Sequence, residues 1–575
     1  MKTMIGNRIA LIMIATYGIL FPLLIIMSGI SFAENSVQSS IEGLTPKEAL
    51  KIGERMYRDG ILASGETMQA LVQGDIPVDS TMFSCVSCHL RSGLGSLEGQ
   101  VVTYPIDGVT LYQPITNAWN MRWVTGSKYA KTMSGVLRSA YNDETLAFAI
   151  RGGVNPDGKV LNYTMPRYSL SDKDMAIMVY YLKNLSVEPS PGVGENSIRY
   201  ATIVTEGANA SDSGLMMSIF KIMSGSNKPA RFSMMALQSI ASNPEDSKNT
   251  GYLNTSVSRW ELKGPTASWR SQLEAYYKKE PVFAIIGGIG NDDWRPIHEF
   301  CEENRLPCIL PITELPVISS TDWYTLYLSE GFYQEGEAAA KYINGTMNIS
   351  DGVPVIQVYR NNRRQLAMAK GFEETWEGLR QQKPENRVLT SDEPVTSKLF
   401  KQLTASKKQA IILLWLDTRD LSSITQQTDV FDIPKMVFLS ATLLENGMYA
   451  LPEKTRKNVY ITFPYRLPDD FAKTEPSFAS LTKSNRYPAD YPMIWAKTNL
   501  NLTILNKALF MMKGHFYRDR LLEVVDMMQD ETTIPLYPRL SFGPGQRYIS
   551  KGCYIVKLGS GATPKIIRAS DWVIP

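Results

Sequence analysis

The sequence predicts a multidomain protein in which a helical domain is followed by a two-lobed α/β domain. The stretch Ser186–Glu195 is rich in Pro and Gly and has no apolar period, which is typical of a domain boundary. Strong helix-start signals precede this stretch, whereas β-type and helical segments alternate after it. The part after the boundary is too long for one sheet, and its length suits two lobes.

Composition narrows the class of protein. The chain has 575 residues, a hydrophobic content typical of globular proteins and a formal net charge of +3. This near-neutral balance gives no reason to expect a nucleic-acid partner.

The N-terminus has the pattern of a secretory signal peptide. Lys2 and Arg8 precede an apolar run at Ile9–Ile30, and Ser31–Ala33 places small residues where a signal peptidase reads. We therefore predict that residues 1–33 are removed on export to the periplasm. The run is also long enough to span a bilayer, so an uncleaved membrane anchor is the alternative.

Two helix starts frame the first domain. Thr45 can cap a helix that has Pro46 at its first position and Glu48 in the place of a capping-box acid. Ser171 and the acid Asp174 predict a second helix start in the same way.

The segment between these helices contains Cys85-Val86-Ser87-Cys88-His89, the spacing of a c-type haem attachment site. Cys85 and Cys88 can bond the two vinyl groups of one porphyrin, and His89 then ligates the iron. A redox-active C-x-x-C pair and half of a zinc site are the alternatives. The loop-like flanks oppose the first, and the lack of further nearby Cys or His opposes the second.

Met165 is the predicted second iron ligand. The chain has only 3 His, which leaves none besides His89 in this domain. Met165 stands in the loop Asn162–Pro166, which Pro166 stiffens. The alternative is a Met that packs in the core. With both axial positions filled, the iron has no site for oxygen, which favours electron transfer over catalysis.

Residues 34–185 resemble the class I cytochromes c. The resemblance rests on Gly53 and Tyr57 in the first helix, the haem motif, the run Ile150–Gly153, Met165-Pro166, and aromatic residues in the last helix. It implies an all-α domain with one covalently attached haem c, ligated by His89 and Met165. It also implies that the first and last helices pack together and that a redox protein is the partner.

After a linker at 186–197, residues 198–575 show the βαβ rhythm of parallel sheets covered by helices. Strands are predicted at Tyr200–Val204, Phe232–Leu237, Phe283–Ile286, Cys308–Ile312, Val353–Tyr359, Ala410–Leu416, Met436–Leu439 and Val459–Phe463. Short β segments around Tyr548, at Tyr554–Leu558 and at Lys565–Ile567 are predicted to close the chain. Helices are predicted at Leu215–Met223, Trp269–Lys278, Trp294–Glu303, Glu335–Ile343, Gln365–Leu379, Ile494–Lys513 and Leu521–Met528.

This part resembles the type 1 periplasmic binding proteins, in particular the branched-chain amino acid and amide group. The resemblance rests on the order of Ile285–Gly288, Leu310–Thr313, Tyr333–Gly336 and Lys370–Phe372. It implies a small solute held between two lobes at strand C-termini. The positions carried over are Gly288, Asn291 and Thr313 in the first lobe and Asp417 and Thr442 in the second.

The sequence departs from this family after the first strand of the second lobe, where Asn361-Asn362-Arg363-Arg364 replaces an aromatic residue. Two Arg there favour an anionic ligand if they face the cleft, whereas the alternative is a solvated face. Specificity for amino acids is therefore open.

The remaining cysteines allow two interpretations. Cys301 and Cys308 can form a disulfide in an oxidising compartment, or they can be two buried thiols. Cys553 is expected to be a packed thiol. His298 and His515 are expected to be structural, and we predict no enzyme activity.

The predicted function is therefore electron transfer by an exported mono-haem cytochrome joined to a solute-binding-like module. One alternative is a solute-binding or redox-sensing protein of the branched-chain amino acid transporter type. Another is the electron-accepting subunit of a periplasmic dehydrogenase. The expected partners are a redox protein and a small solute.

Overall fold

The computed structural model describes residues 40–98, 101–117, 134–224, 254–291, 293–346, 353–404, 410–425, 434–468, 470, 492–512, 514–528, 536–543 and 545–574. The predicted signal peptide and the predicted strand Phe232–Leu237 lie outside these residues. Nowhere in the described ranges is there a helix long and apolar enough to cross a membrane.

The chain divides into two compact units. The first unit comprises Met1–Cys88, Ile106–Thr116 and Val136–Leu185, and the second comprises His89–Pro105, Asn117–Gly135 and Ser186–Pro575. Up to residue 185 the helices are α1 (Pro46–Asp59), α2 (Val86–His89), α3 (Gly108–Leu111), α4 (Asp143–Gly152) and α5 (Asp172–Asn184). The strands there are β1 (Gln69–Val72), β2 (Ile76–Asp79), β3 (Leu97–Glu98), β4 (Val101–Val102), β5 (Ile115–Asn117), β6 (Ser134–Arg138) and β7 (Arg167–Tyr168).

Both predicted helix starts are confirmed. Thr45 and Glu48 form a capping box at the start of α1, which ends at Gly60 in the left-handed region (φ 69°). Ser171 accepts a hydrogen bond from the Asp174 backbone N–H at the start of α5.

Helices α1 and α5 pack against each other, as the resemblance implied. A Cβ at Gly53 would overlap the Tyr181 side chain, so only glycine admits this close approach. One turn further along, the rings of Tyr57 and Tyr181 lie 5.4 Å apart.

The expectation of an all-α first domain is wrong in one respect. Strands β2, β1 and β7 form an antiparallel sheet in that order. Alternate residues of β1 and β7, such as Ala70 and Tyr168, are buried in the core of the unit. The unit is therefore mainly helical with a small sheet on which the core packs.

The first lobe of the second unit is built on a mostly parallel sheet. Its strands are β8 (Val193–Gly194), β9 (Ser197–Thr205), β10 (Asn254–Leu262), β11 (Ala284–Ile286), β12 (Cys308–Ile309) and β13 (Thr325–Leu326). The order is β10-β9-β11-β12-β13, and β8, from the predicted linker, pairs with β9. Its helices are α6 (Ala210–Ser224), α7 (Trp269–Lys279) and α8 (Arg295–Glu303).

The second lobe repeats this order. Its strands are β14 (Val355–Arg360), β15 (Glu385–Leu389), β16 (Ile411–Trp415), β17 (Met436–Ser440), β18 (Val459–Phe463), β19 (Tyr554–Leu558) and β20 (Ile566–Arg568). The order is β15-β14-β16-β17-β18, all parallel, with β19 and β20 added antiparallel beside β18. Its helices are α9 (Phe332–Thr346), α10 (Arg363–Gly378), α11 (Ser397–Thr404), α12 (Thr418–Thr425) and α13 (Ala441–Leu444).

The chain passes between the lobes along three described segments. The first leads from β13 to α9, and the second follows β18, after which α14 (Pro492–Met512) and α15 (Arg518–Asp526) pack in the core of the first lobe. The third leads from Tyr548, whose neighbour Ile549 bonds Tyr327 of the first lobe, to β19. The predicted two-lobed α/β architecture is confirmed.

Candidate functional site

The two haem-motif cysteines lie on or next to the one-turn helix α2. Cys85 is half-buried and Cys88 is exposed, and neither is in a disulfide. Burial raises the pKa of Cys85 to about 11, so this thiol stays protonated at neutral pH. A protonated thiol opposes the redox-active C-x-x-C alternative, which needs a thiolate.

His89 has a fixed tautomer. Its Nδ1 lies 2.9 Å from the backbone oxygen of Tyr104. Because a carbonyl only accepts, Nδ1 carries the hydrogen and Nε2 keeps its lone pair. Burial lowers the pKa of His89 to about 4, against the opposing effect of this bond. The imidazole is therefore neutral at pH 7, which is the form that ligates metals.

The segment carrying Met165 lies beside the cysteines. The Tyr168 hydroxyl donates a hydrogen bond of 2.7 Å to the Phe83 carbonyl, two residues before Cys85. The same phenol lowers the pKa of Cys85 against the larger effect of burial. Met165 itself is half-buried in its loop. The structure thus brings the second predicted ligand's segment to the haem motif.

The carboxyl ends of the parallel strands form the second candidate site. With the short β8 left aside, the first and third strands in chain order are neighbours in both lobes, so the chain leaves them in opposite directions. Open α/β sheets bind ligands in the crevice at such a switch point. In the first lobe this point lies between β9 and β11, and in the second between β14 and β16.

The predicted residues of the first lobe meet at its strand ends. The Gly288 oxygen accepts from the Ile312 N–H at 2.7 Å, which places Thr313 beside it. Gly288 has a φ of 100°, and a Cβ there would lie 3.0 Å from the Trp294 ring. The Asn291 side chain donates to the Gly207 oxygen at 3.0 Å and so bridges β9 and β11 at the switch point.

The two predicted residues of the second lobe follow neighbouring strands, β16 and β17. Asp417 Oδ1 accepts from the backbone of Arg419 and Asp420 at 3.0 and 3.1 Å, which caps α12. Thr442 lies in α13, and its hydroxyl lowers the pKa of Glu335. Solute contacts by these five predicted residues stay a prediction.

An ion pair joins the two lobes at their switch points. Arg363 Nη1, just after β14, lies 3.3 Å from Asp293 Oδ2, which follows β11. The two strand-end edges therefore face each other. The sequence favoured a solvated face for Arg363, whereas the structure pairs this residue with the other lobe. Asp293 was not predicted, because an acid in a loop carries no distinguishing signal.

A second arginine at the switch point of the second lobe, Arg360, is held by hydrogen bonds within that lobe. Arg360 donates through Nε and Nη2 to the two oxygens of Asp420 at 2.8 and 2.6 Å. It also bonds the backbone oxygen of Glu393 at 2.9 Å. Because Arg360 is held in this way, Arg363 is the arginine better placed to meet a ligand.

Glu335 is a buried carboxyl where α9 joins the lobes. The Thr462 hydroxyl donates to its Oε2, and Glu314 of the first lobe lies close enough to raise its pKa further. Burial is the larger cause and raises the pKa of Glu335 to about 7. Glu314 is in turn paired with Lys497 at 2.6 Å.

We expect Glu335 to make stability depend on pH. The carboxyl loses its proton near pH 4.5 in the unfolded chain but keeps it to about pH 7 in the folded protein. Its contribution is therefore complete below pH 4.5 and is lost as the pH rises to 7. The loss is about 3 kcal/mol at 1.36 kcal/mol per pKa unit.

Urea denaturation of Glu335→Gln beside the wild type at pH 5 and pH 8 measures this effect. The variant should gain stability relative to wild type only at pH 8, because its side chain is neutral at both. Glu377→Gln, at an exposed ion pair on α10, is the matched control. An equal difference at both pH values would contradict the prediction.

Cys301 and Cys308 are two free thiols in one buried apolar cluster. Burial raises the pKa of Cys301, and contact with the Cys308 thiol raises it further. Cys553 is fully buried, as expected. The structure therefore shows the second of the two interpretations for this cysteine pair.

Comparison with known proteins finds similar solved structures. No sequence family matches the chain, and no curated protein does. A fatty acid ABC transporter substrate-binding protein from Thermomonospora curvata is 13% identical, over 68% of this chain and 97% of that one, with a TM-score of 0.42. An ABC transporter substrate-binding protein from Sphaerobacter thermophilus is 12% identical, over 66% and 98%, with a TM-score of 0.46.

A third similar structure is a solute-binding protein of an ABC transporter from Rhodopseudomonas palustris HaA2, in complex with p-hydroxybenzoic acid. It is 13% identical over 66% of this chain and 98% of that one, with a TM-score of 0.45.

Proposed function

We propose that the second unit binds a small anionic solute between its lobes, as type 1 periplasmic binding proteins do. The observation that carries this proposal is the Arg363–Asp293 pair, because it sets the two switch points opposite each other. A solute carboxylate can take the place of the Asp293 carboxylate on Arg363. Asn291 and Thr313 line the same edge of the first lobe.

A thermal-shift screen of the full-length protein against small carboxylates, amides, amino acids and alcohols tests this proposal. A ligand that binds only the folded state raises the midpoint by mass action. We expect a carboxylate to do so. Arg363→Gln should weaken its apparent affinity by about tenfold or more, since a charged hydrogen bond contributes about 1.5–3 kcal/mol.

The neighbouring Arg364→Gln is the matched control, because Arg364 is also exposed and the variant has the same change of charge. It should bind as the wild type does. The proposal would be overturned if no compound in the panel shifted the midpoint, or if Arg363→Gln bound the active compound with unchanged affinity.

A second function is electron transfer by one covalently attached haem c. The observation that favours it is the neutral His89, whose Nε2 lone pair is left free by the bond from Nδ1 to Tyr104. Cys85 and Cys88 would hold the porphyrin, and His89 and Met165 the iron. When bound with these ligands, haem supplies a one-electron couple of raised potential.

Two large apolar side chains are also exposed beside the motif, as suits a site for an apolar group. Met82 and Phe83, directly before Cys85, are exposed to 75% and 40%. Large apolar side chains are commonly exposed where a ligand or partner covers them. The Tyr104 carbonyl orients the ligating His89, as an outer partner does at metal sites.

The two functions define what this chain would do in the periplasm. Solute binding and haem reduction in one chain suit a redox-sensing binding protein, and the coupling between them must then be reciprocal. An electron-accepting subunit of a periplasmic dehydrogenase is the remaining candidate. Reduction of the haem by a dehydrogenase and its substrate would distinguish that role.

A further inference from the structure

Arg167 holds the loop that carries Met165 by its backbone. Its Nη1 donates to the Met165 oxygen at 2.6 Å, and its Nη2 donates to the Leu161 oxygen at 3.0 Å. A longer bond of 3.4 Å reaches the Asn162 oxygen. One guanidinium therefore fixes the backbone on both sides of the exposed loop tip.

The glycine run before the loop makes room for this side chain. Gly153 has a φ of 67°, and a Cβ there would overlap the Arg167 guanidinium. Its carbonyl accepts from the Leu161 N–H at 2.8 Å, which closes the base of the same loop. The Ile150–Gly153 run therefore supplies the glycine that leaves space for the Arg167 side chain near Met165.

The Gln73 N–H also reaches the loop tip and donates to the Tyr163 oxygen at 3.1 Å. Within the tip, Asn162 Oδ1 accepts from the Thr164 backbone and hydroxyl, both at 3.0 Å. Gln73 thus holds one backbone oxygen of the tip, whereas Arg167, which extends from β7, bonds three backbone oxygens of the loop, including that of Met165.

We propose that Arg167, with the space left by Gly153, is the positioning residue that keeps Met165 available as an iron ligand. This rests on the proposed haem function. A Met side chain is flexible and its thioether is a soft ligand, so its retention depends on where the backbone is held. A planar guanidinium can serve several carbonyls at once, and a lysine ammonium cannot match that geometry.

The test compares Arg167→Gln and Arg167→Lys with Met165→Ala in the full-length protein. We expect both Arg167 variants to lose most of the Met–iron charge-transfer band and to show a lowered reduction potential, as Met165→Ala does. Arg151→Gln is the matched control. Arg151 lies in the same glycine run but bonds Leu170 and Asp172, which are outside the loop. The Met–iron charge-transfer band should therefore persist in this variant.

A second measurement needs no haem. In the Cys85→Ala/Cys88→Ala background, Arg167→Gln should speed hydrogen exchange of the amides at 161–165 by about tenfold, equivalent to roughly 1.4 kcal/mol. Arg151→Gln should leave them unchanged. A merely structural role would instead lower the stability of the whole unit and spare the band.

The outcomes separate this inference from the proposed function. A wild-type band that Met165→Ala removes and Arg167→Gln leaves intact would overturn the role of Arg167 while the haem function stands. A wild-type protein with no covalent haem, or with a band that survives Met165→Ala, would overturn the proposed ligand set and this role with it.

Discussion

Replacing Cys85 and Cys88 together by Ala should abolish the proposed covalent attachment of haem. The two thioether bonds can form only at these thiols, and His89 alone cannot retain the group when the protein is denatured. Acid–solvent extraction followed by absorbance of the protein fraction measures this loss. We expect full haem colour in the wild type and none in the double variant.

Cys553→Ala is the matched control, because it removes one thiol that is buried in the second unit. Its haem content should equal that of the wild type. A wild-type protein that carries zinc in place of haem, or a reversible disulfide between the two cysteines, would instead support one of the alternatives left open by the motif.

Arg547→Met should lower the free energy of unfolding of the second unit by about 3–5 kcal/mol. This is the usual loss when one partner of a buried ion pair is removed. Arg547 Nη2 lies 2.8 Å from both oxygens of Asp526, and the side chains are 4% and 7% exposed. Burial raises the pKa of Asp526 to about 6 even with this arginine present. Without it the carboxyl stays buried and keeps the hydrogen bond from the Gly545 N–H, but it loses its paired charge.

Urea denaturation of the full-length protein measures this loss, and a double variant tests the reason for it. Arg547→Met/Asp526→Leu should recover most of the stability, because an apolar pair leaves no buried charge. The exposed pair Lys370–Glu374 provides the control, and Lys370→Met should cost less than about 1 kcal/mol. A double variant as unstable as Arg547→Met would contradict this explanation.

The sequence predicted the central strands and the closing strands β19 and β20 but missed other edge strands. The predicted strands at Val353–Tyr359, Ala410–Leu416 and Met436–Leu439 are β14, β16 and β17, which are buried on both faces and therefore read as apolar runs. The missed strands β10 and β15 lie at sheet edges. Their polar residues face solvent, and such strands resemble loops in a sequence.

The candidate sites also differ in how much of each can be predicted from the sequence. A covalent motif such as Cys85–His89 is defined by spacing along the chain, so it can be found without coordinates. The pairing of Asp293 with Arg363 and the contact of Arg167 with Gly153 depend on residues far apart in sequence. Asp, Arg and Gly are all common in loops, so the sequence does not mark these residues as partners. Only the fold brings each pair together.

The position of β19 has a consequence for the order in which the protein is made. This strand covers the edge of β18, yet its residues, Tyr554–Leu558, are synthesised after the helices α14 and α15 of the first lobe. Until they emerge, β18 presents an open row of backbone donors and acceptors, a template for pairing with other chains. The second lobe therefore cannot be completed before the first, and β18 stays open to such pairing until the last strands have been made.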